Sequence, residues 1–448
     1  MEKNLNKKAK EYHSMWKPGK TEIIPTKPFG TKEELSMAYT PGVAAPAAEI
    51  SQEHWKAYRY TNKGNLVAVI SNGSSVLGLG NIGALASKPV MEGKAMLFKI
   101  YADIDAFDIE LSEEEPDKFI ASVQALAPTF GGINLEDIKA PECFYIEEKL
   151  HGLLDIPVMH DDQHGTAVVV AAALLNACKV TQKSIRNINI VICGAGSAAI
   201  STARLLLQLG IDKTQITMID SKGVINRHRT ELDSTKAEFV TEKNINTQQQ
   251  AMKGCDVFIG LSRGNLLEED SIRSMADKPI IFALANPTPE IEYNKARTIR
   301  PDAIVATGRS DLPNQINNVL AFPYLFRGAL DTLATSINEK MKIAAVHAIA
   351  EIAQEPVTYD QKDKPSKTEF GGNNLLPKPG DKRLLTNVSA AVARAAMKSG
   401  IARRNILSFK DYADTLLARI DNENFFARES IRHRSHTRMY PHTRKKEF

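Results

Sequence analysis

The chain has 448 residues, 43% of them hydrophobic and 25% charged, the ordinary balance of a soluble protein with room for two or three domains and a large core. Its 57 basic and 53 acidic residues leave a net charge of +4, which gives nucleic-acid binding no support. Four cysteines without a C-x-x-C pair argue against a disulfide scaffold and for a reducing, cytoplasmic setting.

The first twenty residues, MEKNLNKKAKEYHSMWKPGK, are charged and lack the apolar stretch of a secretory signal. Up to about residue 155 short strand-like and helical stretches alternate. GNLVAVISNG predicts a buried strand bounded by glycines, and AMLFKIYADIDAFDIEL reads as strand-like after glycine-rich turns. GLGNIG, from Gly78 to Gly83, looks like a second dinucleotide loop. No regular strand–helix–strand unit surrounds it, so it is read as a structural turn. DDQHGTAVVVAAALLNACKV predicts a loop entering a buried helix, and its apolar run, Ala167 to Ala177, is too short to span a bilayer, so no membrane is expected.

From there the pattern becomes strand, helix, strand: NINIVICGAG, SAAISTARLLLQLG and QITMID, then CDVFIGLS, PIIFALANP and AIVATG. That order implies an α/β protein, a smaller N-terminal α/β domain followed by a doubly wound parallel sheet of Rossmann type. The expected divisions are residues 1–160, 161–425 and a basic, unstructured tail at 426–448. Residues 355–382 are polar and rich in Pro and Gly, which predicts a surface loop, and TNVSAAVARAAMKSG a helix ending at Gly400.

Gly194, Ala195, Gly196, Ser197 and Ala198, completed by Ala199, form G-x-G-x-x-A between a strand and a helix, the context in which small residues admit a pyrophosphate to a helix N-terminus. The alternative is a tight turn without a ligand. Asp220 closes the next strand, where an acid usually bonds the ribose 2′-hydroxyl of NAD. Ser221 and Lys222 follow it and suit a 2′-phosphate, so the reading leans to NADP with NAD as the alternative.

Two pairs of acids stand out: Glu136–Asp137 in INLEDIKAPECF and Asp161–Asp162 in VMHDDQHGTA. Four carboxylates make one oxygen-rich site for a hard divalent ion, or else an aspartate caps the following helix. His160 and His164 are read as packing or supporting residues, since the carboxylates favour a harder ion than zinc.

The motifs AYTPGVAAP, GLGNIGALASKPVMEGKA, FGGINLEDIKAPECF, HDDQHGTA, GAGSAAI, FALANPTPE and TGRSDLPNQINNVLAFPYLFRGALD occur in this order, and the sequence resembles the malic enzymes of the bacterial short-subunit type. The resemblance implies oxidative decarboxylation of (S)-malate to pyruvate and CO2, reduction of NAD or NADP, and a need for Mg²⁺ or Mn²⁺. It makes Glu136, Asp137 and Asp162 metal ligands, Lys94 the base for the substrate hydroxyl, and Asp161 the aspartate that tunes it. Tyr39 becomes the acid that protonates the enolpyruvate carbon, and Asn286 and Asn318 contact substrate and nicotinamide. Ser75 stands where larger members carry a substrate-binding arginine. A homodimer or larger homo-oligomer is implied, with no nucleic acid or membrane as partner, and the chain stops before the phosphotransacetylase-like domain of some relatives. Two other readings compete. One is a metal-free dehydrogenase like the methylenetetrahydrofolate dehydrogenases, and the other a cofactor-binding regulator without catalysis.

Overall fold

The computed structural model describes residues 2–14, 18–76, 78–356 and 369–420. Among them, ten strands form two sheets. The first joins β1 (Leu66–Ser71), β2 (Asp105–Glu110), β3 (Gly132–Leu135) and β4 (Val158–His160) in the order β2-β1-β3-β4, all parallel. The second joins β5 (Ile190–Cys193), β6 (Ile216–Asp220), β7 (Gly223–Val224), β8 (Val257–Gly260), β9 (Ile280–Ala283) and β10 (Ile304–Thr307) in the order β10-β9-β8-β5-β6-β7. Only the short edge strand β7 runs antiparallel, against β6. Strand order reverses beside β5, between β6 and β8, and ligands of open α/β sheets bind at such a switch point.

Parallel strands need a crossover, and the helices that supply it cover both faces. Side chains therefore alternate between two cores. Val67 and Val69 of β1 join the large central core, while Leu66, Ala68 and Ile70 face a second one with Phe119, Ile133 and Leu135. In β5, Ile190 and Ile192 enter the central core and Val191 and Cys193 the third.

Four helices position the site: α1 (Ala84–Ala102), α2 (Glu142–Leu153), α3 (Asp161–Thr181) and α4 (Ser197–Gln208). The strand expected across residues 95–111 is corrected here, because its first part is the end of α1 and only Asp105–Glu110 is strand. Met91, Ala95, Phe98 and Ala102 are buried at helical spacing, and the helix stops at Asp103, whose left-handed backbone (φ 48°) closes its last turn. Helix α3 runs 21 residues because Asp161 to Thr166 add a polar turn and a half to the apolar run. By length and composition it is the one helix among the described residues able to cross a membrane, and 72% of its apolar window is buried inside the fold. It is a core helix of this protein.

After the second sheet the chain returns to the first. Helix α5 (Phe322–Asp331) is buried throughout and packs on α1, with the rings of Phe98 and Phe322 4.8 Å apart, edge to face. Arg327 donates to Asn65 Oδ1 at 2.6 Å just before β1. The helix expected to end at Gly400 is present as Ser389–Lys398 behind a short π-helical turn. The basic tail lies outside the described residues, as do residues 357–368 of the expected loop.

Candidate active site

The acidic cluster is a product of register. Leu135 of β3 pairs with Ile70 of β1 on one side and with His160 of β4 on the other. Residues 136–137 and 161–162 therefore leave the sheet side by side at its carboxyl edge. Glu136, Asp137 and Asp162 each offer an oxygen, all within 4.8 Å of one another. Asp137 adopts a left-handed backbone (φ 53°), costly for a non-glycine residue and tolerated where surroundings hold it. The hold is visible: its N–H donates to Asp162 Oδ2 at 2.8 Å, and its carbonyl accepts the N–H of Ser75 at 3.0 Å.

Lys94 projects from α1 into this cluster and is 7% exposed. Its Nζ lies 2.5 Å from Asp161 Oδ2 and 2.9 Å from Glu136 Oε1, over the ring of Phe322 at 4.1 Å. Asp161 is fully buried, and the same Oδ2 accepts from Asn318 Nδ2 at 2.5 Å. Asn134 donates to Glu136 Oε2 at 2.8 Å. Burial pushes all four carboxyls up, and mutual repulsion adds to it against the pull of Lys94: Glu136 and Asp161 to about 7, Asp162 to about 6, Asp137 to about 9. Burial works the other way on Lys94, yet Asp161 and Glu136 outweigh it and hold the ammonium above its ordinary range. A base role for this lysine thus requires that the carboxylate charge be offset first.

The arrangement fits a hard divalent cation. The donors are three converging carboxylates, and Asp137 Oδ2 is buried with no hydrogen-bond partner in the described structure. Buried His160 stands behind them, its Nε2 3.5 Å from Asp162, and burial lowers it to about 4, so it is neutral near pH 7. His164 points away from the cluster, bonding Glu147 of α2 at 2.9 Å and Lys342 at 3.0 Å.

At the switch point, a cleft of about 640 Å³ is lined by Gly194, Ala195, Gly196, Asp220, Lys236 and Arg263 among others. Gly194 has φ 123°, and a β-carbon there would stand 2.4 Å from the carbonyl of Leu261. Gly196 meets nothing within 4 Å and opens α4 without a side-chain cap, leaving its first N–H groups free of a capping side chain. Asp220 is held below its usual range, despite partial burial, by Arg229 and the Lys222 N–H. The Lys222 side chain is 63% exposed. Asn286 is exposed and two glycine-bearing loops approach it: a β-carbon on Gly78 would touch its carbonyl at 2.7 Å, and one on Gly308 its Nδ2 at 3.0 Å.

The structure thus brings together Lys94, Glu136, Asp137, Asp161, Asp162 and Asn318. It leaves Tyr39 apart: the ring is 75% exposed, at the end of helix Lys32–Ala38. Asn134, Phe322, Glu147 and Arg229 were missed by sequence reading: the first two sit inside quoted motifs without chemistry that singles them out, and the last two lie outside any motif. Gly165 was read as part of a loop, but that stretch is the first turn and a half of α3, which places the glycine inside a helix. A β-carbon there would lie 1.8 Å from Asp161 Oδ1.

A parallel-sheet protein with a glycine loop at the switch point of one sheet, and a lysine within a carboxylate cluster at the edge of the other, is an α/β protein with a Rossmann-type nicotinamide-binding half. Two family profiles match it, the malic enzyme N-terminal domain over residues 18–151 and the malic enzyme NAD-binding domain over 163–366. The chain belongs to the malic enzyme family. It is 52% identical over 434 residues to an NADP-dependent malic enzyme of Escherichia coli (95% of this chain, 57% of that one). It is 50% identical over 416 residues to an NAD-dependent malic enzyme of Rhizobium meliloti (92% and 54%). The chain spans little more than half the length of these relatives. The solved malic enzyme from Pyrococcus horikoshii superposes with a TM-score of 0.88 at 43% identity, covering 96% of this chain and all of that one.

Proposed function

We propose that the chain oxidatively decarboxylates (S)-malate to pyruvate and CO2, reducing a nicotinamide dinucleotide, with a divalent cation held by Glu136, Asp137 and Asp162. The observation that supports it most is the convergence of those three carboxylates on Lys94 and Asp161. A bound Mg²⁺ or Mn²⁺ would offset the carboxylate charge and polarise the oxygens of a chelated 2-hydroxy acid. With that charge offset, burial is what remains to lower Lys94, and its Nζ is placed to take the hydroxyl proton. Asp161, 2.5 Å away, receives it or holds the ammonium, and Asn318 fixes the orientation of Asp161. The glycine loop at Gly194–Ala198, with Asn286, orients the nicotinamide for hydride transfer from C2. Tyr39 is proposed as the acid that protonates C3; its exposed position means that the arm carrying it must approach the cluster.

The cofactor reading leans to NADP. Asp220 is engaged by Arg229, and Ser221, Lys222 and Lys236 stand beside it. A homodimer is proposed as well, supported by the exposed apolar side chains of Ile23, Phe29, Leu35, Met37 and Val43, close together in the sequence. The test is reduced-nicotinamide formation from malate, with Mn²⁺ and then with EDTA. Turnover with Mn²⁺ that EDTA abolishes is expected. Turnover that survives EDTA would favour a metal-free dehydrogenase, and no turnover with either cofactor a regulator.

A further inference from the structure

We propose that Arg229 decides which nicotinamide dinucleotide the cleft prefers, by binding Asp220 so completely that the carboxylate is withdrawn from the ribose diol. The inference rests on the reading of the cleft as a nicotinamide site and assigns its selectivity to one side chain.

Asp220 ends β6 and faces the cleft, where an acid ordinarily accepts the 2′-hydroxyl of NAD. Here three of its roughly four acceptor positions are taken, and Lys236 stands near the remaining one. Oδ1 accepts Arg229 Nη1 at 3.0 Å and the N–H of Lys222 at 2.9 Å. Oδ2 accepts Arg229 Nη2 at 3.1 Å, with Lys236 Nζ 4.0 Å away. A guanidinium fork on a carboxylate is planar and directional, and the pair is largely shielded from water, with side chains 14% and 11% exposed. Arg229 is itself steadied by Glu231, whose Oε1 accepts its Nε at 2.7 Å.

Lys222, Arg229 and Lys236 stand against Asp220, Glu231 and Asp233, so the ion-paired cluster is neutral, and Arg263 adds a positive charge elsewhere in the cleft lining. Lys222 and Lys236 are 63% and 30% exposed and can turn toward a 2′-phosphate. Removing Arg229 has two consequences of the same sign. Asp220 becomes free to accept a 2′-hydroxyl, and the cluster gains a net negative charge that repels a 2′-phosphate. A lysine in its place keeps the charge but loses the fork.

The test is calorimetric titration of the full chain with NADP⁺ and with NAD⁺, reading the ratio of the two dissociation constants. In Arg229→Leu the ratio is expected to move toward NAD⁺ by about tenfold or more, the scale of one charge-assisted hydrogen bond. Arg229→Lys is expected to move it less in the same direction, and it answers the question should the leucine variant fail to fold. Adding Asp220→Asn to Arg229→Leu is expected to reverse much of the shift. A ratio unchanged in both single variants, or one moved toward NADP⁺, overturns the proposal while leaving the nicotinamide reading intact. A wild-type chain that binds neither dinucleotide overturns both.

Discussion

Gly165 sits one turn into α3, and Gly165→Ala is the smallest change that tests how the cluster is held. The added β-carbon would stand 1.8 Å from Asp161 Oδ1, 2.8 Å from its Cγ and 3.1 Å from the Cβ of Asn318. Asp161 is fully buried, and its Oδ2 already takes both Lys94 and Asn318 at 2.5 Å. It cannot turn aside without weakening both bonds. Overpacking a buried site costs about 1–3 kcal/mol, and each charge-assisted bond lost about 1.5–3 kcal/mol. Against this, replacing glycine by alanine inside a helix ordinarily stabilises by about 1 kcal/mol. The expected net is a destabilisation of about 3 kcal/mol, a fall in Tm of roughly 3 °C for a chain of this size. Malate turnover should fall about 100-fold, because the displaced aspartate no longer positions Lys94. The assay pairs thermal denaturation with reduced-nicotinamide formation. A variant as stable and as active as the parent, or more so, would show that Asp161 is not pinned where the structure puts it.

Phe98→Ala, which removes the ring packed against Phe322 and Phe326 between α1 and α5, should cost about 3–5 kcal/mol by chemical denaturation and lower turnover through the movement of Lys94. The raised carboxyls set a pH trend. Their protons are bound more tightly in the folded chain than in the unfolded one, so metal-free stability should fall as pH rises from about 4, where the unfolded carboxyls ionise, to about 9, the fall ending in turn at the values of Asp162, Glu136 and Asp161, and Asp137. Mn²⁺ should flatten that slope, which thermal melts with EDTA and with Mn²⁺ would measure; a metal-free slope of the opposite sign would refute it. Tyr39→Phe should slow turnover at least tenfold while leaving Mn²⁺ affinity unchanged, and parental turnover would remove Tyr39 from the mechanism. Light scattering at micromolar concentration should give twice the chain mass, and a monomeric mass would leave the apolar surface around Phe29 and Met37 unexplained.

The five parallel strands of the second sheet were legible because buried parallel strands read as short apolar runs, and GAGSAA sits between one such run and a helix; the two-residue edge strand β7 was not read. Glu136, Asp137 and Asp162 were legible as chemistry, since adjacent acids beside apolar runs need an explanation. Their meeting was expected from that chemistry and from the resemblance, but the geometry behind it was not in the letters, because it depends on β3 pairing with β4 in one register across a separation of 25 residues. Residues 95–102 misled for a different reason: an apolar stretch broken only by Lys99 satisfies both periods, and only the burial of Met91, Ala95, Phe98 and Ala102 selects the helix. Arg229 lies nine residues beyond Asp220 in a polar segment, and no spacing rule singles it out. Tyr39 carries a recognisable motif, yet its exposed placement could not be read from the letters around it.

The central claim is that three carboxylates from two neighbouring strand ends form one cation site. Titrating the purified, chelator-treated chain with Mn²⁺, followed by paramagnetic resonance of the free ion, tests it without any turnover. The account predicts one tight site per chain, lost or weakened at least tenfold in Asp137→Asn and in Asp162→Asn, with neither variant unfolded by circular dichroism. Equal Mn²⁺ affinity in the parent and both variants, or no site at all in the parent, would contradict it.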